Sequence, residues 1–291
     1  MNPQVAVSVP FAAQTRPQSA GAIPKLAREE VIPLARVELE RFLALIETLT
    51  PEDLAQPTDC ALWSVKDIIA HQGAHVLGLT SARETLMDQF NPLKFRDYSA
   101  RGMNLLDAAN QRMVDQRARW SLAELIAEIR DNMERSLAGR QRFPAVLRWM
   151  RMMAPGYDQP FTVAELIDSI YTRDMWMHRA DIARATGREM IQTAEHDGRI
   201  VALVVRDVDR RYKAKLGGRA VTLHLTGKAG GEWTAGGDRP AEAALTMEVL
   251  EFNRLASGRI PTQQVLDQGL AKIDGDKDLA RLALRHTMAL Y

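Results

Sequence analysis

Two short stretches place side chains of metal-binding chemistry at helical intervals. In RDMWMHRADIARATG, residues 173–187, Asp174, His178 and Asp181 are separated by four and three positions, which keeps them on one helix face. That face continues backward through Ile170, Ile167 and Val163, so an apolar stripe is interrupted by acid, imidazole and acid. In WSVKDIIAHQGAHVLGL, residues 63–79, His71 and His75 fall between Ile68 and Leu79 on one face, with the imidazoles about 40° apart. Burying such groups without partners is costly, and a divalent cation would satisfy them. Bundles of helices commonly build metal sites from inward-facing His and carboxylate groups. The expected ligands are His71, Asp174 and His178, with His75 a supporting group or alternative ligand. Asp181 is expected to orient a ligating histidine or hold an arginine. Two nitrogens and one carboxylate leave coordination positions open, as a catalytic zinc site requires.

Plainer readings of these residues stay open. A histidine pair at this spacing also suits a partly exposed helix face. Asp174 with Arg173 or Arg179, and Asp181 with Arg184, can form surface ion pairs of small worth. Trp63 and Trp176 neighbour the candidate ligands and can wall a pocket, or simply pack in a core. Cys60 stands near a helix start, where the dipole favours a thiolate, yet it reads better as a small core or loop cysteine, and no catalytic nucleophile is assigned. Arg259, in LASGR, is a further candidate for binding a carboxylate of substrate or cofactor; the alternative is a solvated helix-end arginine.

The elements that must carry these residues follow from periodicity and capping. Glu29–Leu49 has a broad apolar face closed by Thr50-Pro51. Ser64 caps a helix predicted from Val65 to about Phe90, with Asp67 in capping-box position. Helices are predicted over Asn104–Trp120 and Ser121–Arg142, and Thr162 with Glu165 opens the one that contains Asp174 and ends at Gly187. After another helix over Asp197–Leu216, VTLHLTG, GGEWTAGG and AEAALTM read as strands, before helices over Met247–Ser257 and Asp276–Leu290. The expected fold is mainly α: an antiparallel four-helix bundle over residues 27–194, preceded by a loose tail over 1–26 and followed by a small α/β domain over 195–291.

The whole chain bounds the function. Its 291 residues are 46% hydrophobic and 26% charged, with 38 basic against 37 acidic side chains and a net charge of +1. That composition is globular, and the interleaved charges argue against capture of nucleic acid or anionic membranes. With Cys60 the only cysteine there is no intrachain disulfide and no tetrathiolate zinc site, which fits a reducing cytoplasm. No apolar run approaches a membrane span.

ALWSVKDIIAH and RDMWMHRADIARATG resemble the two signature segments of the mycothiol-dependent maleylpyruvate isomerase-like family of the DinB superfamily. GGEWTAGG through LASGR, together with DGDKDLARL, is similar to that family's SCP2-like (sterol-carrier-type) C-terminal domain. The resemblance implies a DinB-like bundle holding zinc through a histidine, a glutamate and a histidine, which fall here on His71, Asp174 and His178, so that Asp stands where the family has Glu. It also implies a low-molecular-weight thiol, mycothiol or an equivalent, as cosubstrate at the open metal position, and a small-molecule substrate isomerised or conjugated by the thiolate. Two other readings remain: a non-catalytic small-molecule or lipid-binding protein that works through its C-terminal domain, and a metal-dependent hydrolase with His75 as base.

Overall fold

A computed structural model describes residues 17–89 and 91–291. The chain is mainly helical with one mixed sheet, and it separates into two compact units. The helical unit comprises Pro24–Ile191, Asn253–Pro261 and Met288–Tyr291; the α/β unit comprises, of the described residues, 17–23, Gln192–Phe252 and Thr262–Thr287. The division is therefore interleaved along the sequence.

Among the described residues the long helices of the helical unit are α1 (Arg28–Ile46), α2 (Val65–Gly78), α3 (Leu105–Gln116), α4 (Leu122–Arg142) and α5 (Tyr171–Thr186). α1 packs on α4 and α5, and α2 packs on α3, α4 and α5. Between them lies an apolar cluster that includes Leu39, Phe42, Ile46, Ile68, Ile69, Leu125, Ile129 and Ile182. Ser64 and Ser121 cap α2 and α4 through reciprocal bonds with Asp67 and Glu124, as their spacing predicts. Thr162 and Glu165 form the same box ahead of α5, and Gly187 ends α5 with a left-handed φ of 65°.

Three boundaries differ from the sequence expectation. α2 stops at Gly78 instead of reaching Phe90, because Ser81 caps a separate turn at Ala82–Glu84 and the Thr85 hydroxyl takes up the freed Gly78 carbonyl at 2.8 Å. The run into α5 widens at Leu166–Ile170 into a turn of longer hydrogen-bond span, which hydrophobic spacing does not reveal. Of the expected tail over 1–26, residues 1–16 lie outside the described residues; Gln18–Ser19 forms a strand, and Ala20 and Ile23 are buried.

In the α/β unit, β1 (Gln18–Ser19), β2 (Ala220–Thr226), β3 (Gly231–Gly236), β4 (Ala243–Glu248) and β5 (Ala271–Gly275) form one sheet in the order β1-β3-β2-β4-β5. The β2–β3 and β4–β5 pairs are antiparallel, whereas β1–β3 and β2–β4 are parallel, with Leu223 opposite both Trp233 and Leu245. Helix α6 (Asp197–Lys215) packs on β3 and α9 (Lys277–His286) packs on β4. α7 (Val249–Ala256) and α8 (Thr262–Asp267) lie between β4 and β5 in sequence. The interior is supplied by Val201, Val204, Val208 and Tyr212 from α6 and by Leu223, Trp233 and Leu245 from the sheet, all fully or nearly fully buried. α8 and β5 have no counterpart in the sequence expectation; TQQVLD is too short and AKIDG too polar to carry a period.

Candidate metal centre

Thirteen consecutive residues of α5, Tyr171–Ala183, are buried, so Asp174, His178 and Asp181 lie on a helix surrounded on every side. Two of the arginines weighed as surface partners engage other carboxylates. Arg179 is held by both carboxylate oxygens of Glu38 on α1, at 2.7 and 3.1 Å, and Arg184 approaches Asp59 instead. α2 brings His71 and His75 to the same place, buried as well.

The Asp174 carboxylate is the hub. Its Oδ2 lies 3.4 Å from His71 Nε2 and 3.6 Å from His75 Nδ1, while Oδ1 lies 3.3 Å from His178 Nε2. Charge-assisted hydrogen bonds would be nearer 2.8 Å. Donor atoms around a tetrahedral ion with bonds of about 2.1 Å stand about 3.4 Å apart. The imidazole–carboxylate spacings therefore fit a shared cation better than direct pairing. Donor atoms of His71, His75 and Asp174 all lie within 4.8 Å of one another. His75 Nδ1, the nitrogen that faces Asp174, is buried without a hydrogen-bond partner, so the protein's own contacts leave it unsatisfied. The set of imidazole nitrogen and carboxylate oxygen suits zinc and similar divalent ions.

Around the hub, supporting contacts fix orientation. His178 turns its Nδ1 to Asp181 Oδ2 at 2.9 Å, which aims Nε2 at Asp174. Arg259 grips both oxygens of Asp181 at 2.6 Å each. Both residues belong to the helical unit, and the side chains are 8% and 0% exposed, so Arg259 is committed to a buried ion pair and is not a solvated helix-end side chain. Cys60 Sγ stands 3.7 Å from Asp181 Oδ2 and 4.0 Å from His178 Nδ1. The Trp63 ring lies 4.6 Å from the His71 ring and 5.9 Å from that of His178. Trp176 is fully buried, but two residues on from Asp174 it is turned about 200° around α5, away from the hub.

Two side chains that spacing did not single out complete the arrangement. Gln72 is fully buried and donates from Nε2 to Asp174 Oδ2 at 2.6 Å. Its only signal in the sequence is an amide within the apolar run of α2. The Tyr171 ring packs 4.6 Å from that of His75.

Electrostatics divide the imidazoles. Burial foremost, with His75 alongside, pushes His71 down to about 3, so it is neutral. Burial opposes charge on His178 too, but Asp174 and then Asp181 outweigh it and hold its pKa well above the ordinary value. Desolvation would raise Asp174, yet His178 foremost keeps it ionised, well below the usual carboxylate range. Asp181 is lowered in the same way, by Arg259 and then His178 against its own burial. A cation at the hub would take the place of the proton on His178 Nε2.

Comparison with known proteins places the helical unit in a family. The family model described as the mycothiol maleylpyruvate isomerase N-terminal domain matches residues 35–183, a span that contains His71, Asp174, His178 and Asp181. Two solved structures share the fold: a mycothiol-dependent maleylpyruvate isomerase, 13% identical with a TM-score of 0.52 over 81% of this chain and 90% of that one, and a histidine-to-alanine mutant described by the same name, 12% identical with a TM-score of 0.53 over 86% and 95%. No curated protein sequence matches the chain. By the match over residues 35–183, this chain belongs to the mycothiol maleylpyruvate isomerase N-terminal domain family.

Proposed function

We propose that the helical unit binds one divalent ion, zinc in the first instance, through His71, Asp174 and His178, and that the protein is a thiol-dependent isomerase or transferase using mycothiol or an equivalent small thiol. The observation that carries this reading is the buried Asp174 carboxylate, ringed by imidazole nitrogens at 3.3–3.6 Å. An ion held there supplies a Lewis acid that keeps a coordinated thiol as its thiolate.

The remaining work falls to the chain's own side chains. Asp181, kept ionised by Arg259, accepts the Nδ1–H of His178 and so presents Nε2 as a donor. Gln72 fixes the Asp174 carboxylate by its amide, compensating for the shorter arm of Asp where the family has Glu. Trp63 covers the His71 and His178 rings and excludes water from that side. A small thiol held as its thiolate beside these residues would supply a reversible nucleophile for the double bond of a conjugated cis-dicarboxylate of the maleylpyruvate kind, the chemistry that interconverts cis and trans isomers. The thiol is regenerated and nothing is oxidised or reduced.

The same reading takes the helical unit as a DinB-like four-helix bundle, the α/β unit as SCP2-like, and the reducing cytoplasm as the place of work. Elemental analysis of protein purified without chelator tests it. About one ion per chain is expected, lost in both His71→Ala and His178→Ala. Turnover of maleylpyruvate should require mycothiol or another small thiol; absence of bound metal under saturating zinc, or activity indifferent to every thiol, rejects the proposal.

A further inference from the structure

Balanced overall charge conceals one local segregation. Between Arg135 and Tyr157 the chain carries five arginines, at 135, 140, 142, 148 and 151, and no lysine, aspartate or glutamate. Two of them serve the interior: Arg140 donates to the Thr172 hydroxyl at 2.8 Å and the Ile167 carbonyl at 3.2 Å, and Arg148 pairs with Asp168. Arg135, Arg142 and Arg151 are exposed.

Among these cations stands an apolar knob. One helical turn, Ala145–Arg148, is extended by the Met150 amide bonding to the Leu147 carbonyl. Val146, Trp149 and Met150 occupy positions i, i+3 and i+4 and so share a side. They are 77%, 81% and 53% exposed, and Met153 follows at 57%. Arg148 points the other way into its ion pair, and Phe143 and Ala154 are buried on either flank, so the knob is held out by structure on both sides. Four large apolar side chains exposed together mark a contact surface.

The geometry points to an anionic lipid bilayer as the occupant: we propose that Val146, Trp149, Met150 and Met153 insert at the headgroup level while Arg142 and Arg151 meet lipid phosphates. Tryptophan favours the membrane–water interface, and basic side chains beside shallow apolar ones add attraction to anionic headgroups. A second copy of the chain is a poorer occupant, because a two-fold contact would set these arginines against one another with no acid in the segment. Among the described residues no helix is long and apolar enough to cross a membrane, so the attachment is peripheral. It is independent of the metal reading, since none of these side chains touches the Asp174 hub.

Flotation of the full chain with vesicles tests the idea. Vesicles of phosphatidylcholine mixed with phosphatidylglycerol should retain the protein at low salt at least about tenfold better than phosphatidylcholine alone, and raised salt should weaken retention. Trp149→Ser, and separately Arg142→Glu with Arg151→Glu, should each reduce retention about tenfold while leaving the melting temperature and the metal content unchanged. Equal retention by both vesicle types, no retention by either, or retention that survives both variants overturns the proposal. So does self-association in sedimentation velocity that Trp149→Ser abolishes without any vesicle binding.

Discussion

Asp181 ties three parts of the helical unit together: it takes the Nδ1 of His178 within its own helix, the guanidinium of Arg259 from far along the sequence, and the Cys60 thiol at longer range. Its side chain is wholly buried, so removing its charge leaves Arg259 without compensation in a site water does not reach. Asp181→Asn is therefore expected to cost about 3–5 kcal/mol in urea unfolding. The same substitution should weaken metal binding about 10- to 100-fold by competition titration, because the partner that aims His178 is impaired. Gln72→Leu removes a short bond to Asp174 Oδ2 and should likewise lower metal affinity, with less effect on folding because Gln72 carries no charge. Spacing found Asp174, His178 and the histidine pair, since four- and three-residue steps on a helix are local geometry. Gln72 has no such signature: its neighbour Asp174 is a hundred residues away, and only packing brings the two together.

At the scale of elements, the phase of α2 and α5 decides where the donors point. Ser64 and Asp67 fix the start of α2, and the wide turn at Leu166–Ile170 sets how α5 enters the core. α4 approaches the end of α2 so closely that a Cβ on Gly139 would stand 2.0 Å from the Leu79 carbonyl oxygen and 2.9 Å from the Thr80 backbone. Gly139→Ala must push two backbones apart and is expected to cost at least about 1–3 kcal/mol, read as a lower melting temperature. At the other end of the unit, Arg188, and then the Thr50 amide, hold Asp53 down to about 2. That folded value lies below the unfolded one of about 3.9, so this contribution to stability is complete above about pH 4 and is lost as pH falls toward 2. Arg188→Ala should accordingly flatten the acid limb of a stability–pH profile measured by urea unfolding. The helices themselves were readable from caps and apolar period; the early stop of α2 at Gly78 was not, because the competing cap at Ser81 and the Thr85 hydroxyl are ordinary residues until the chain has turned.

For the molecule as a whole, the interleaving of the two units has practical consequences. A fragment ending at residue 194, where composition shifts from helical to mixed, discards Asn253–Pro261 of the helical unit and with it Arg259. Such a fragment should bind metal more weakly and melt at a lower temperature than the full chain, and a fragment matching the full chain in both respects would show that Arg259 is dispensable. Removing metal from the full chain with chelator should lower its melting temperature, and zinc at a hundredfold excess over its dissociation constant should restore about 2.7 kcal/mol of unfolding free energy. By itself the sequence determined the helical character of the first two thirds, three strands of the last third, the polar groups that interrupt the apolar faces of α2 and α5 and the kind of chemistry they can support. All of that is written in periods of two and 3.6 residues and in caps a few positions long. Only the tertiary structure decided that Asp174 gathers three imidazoles, that Arg259 grips Asp181, that Trp63 faces in, and that Trp149 stands exposed with Arg142 and Arg151. Those outcomes depend mainly on contacts between residues remote in sequence, where no local period reaches and packing selects the partner.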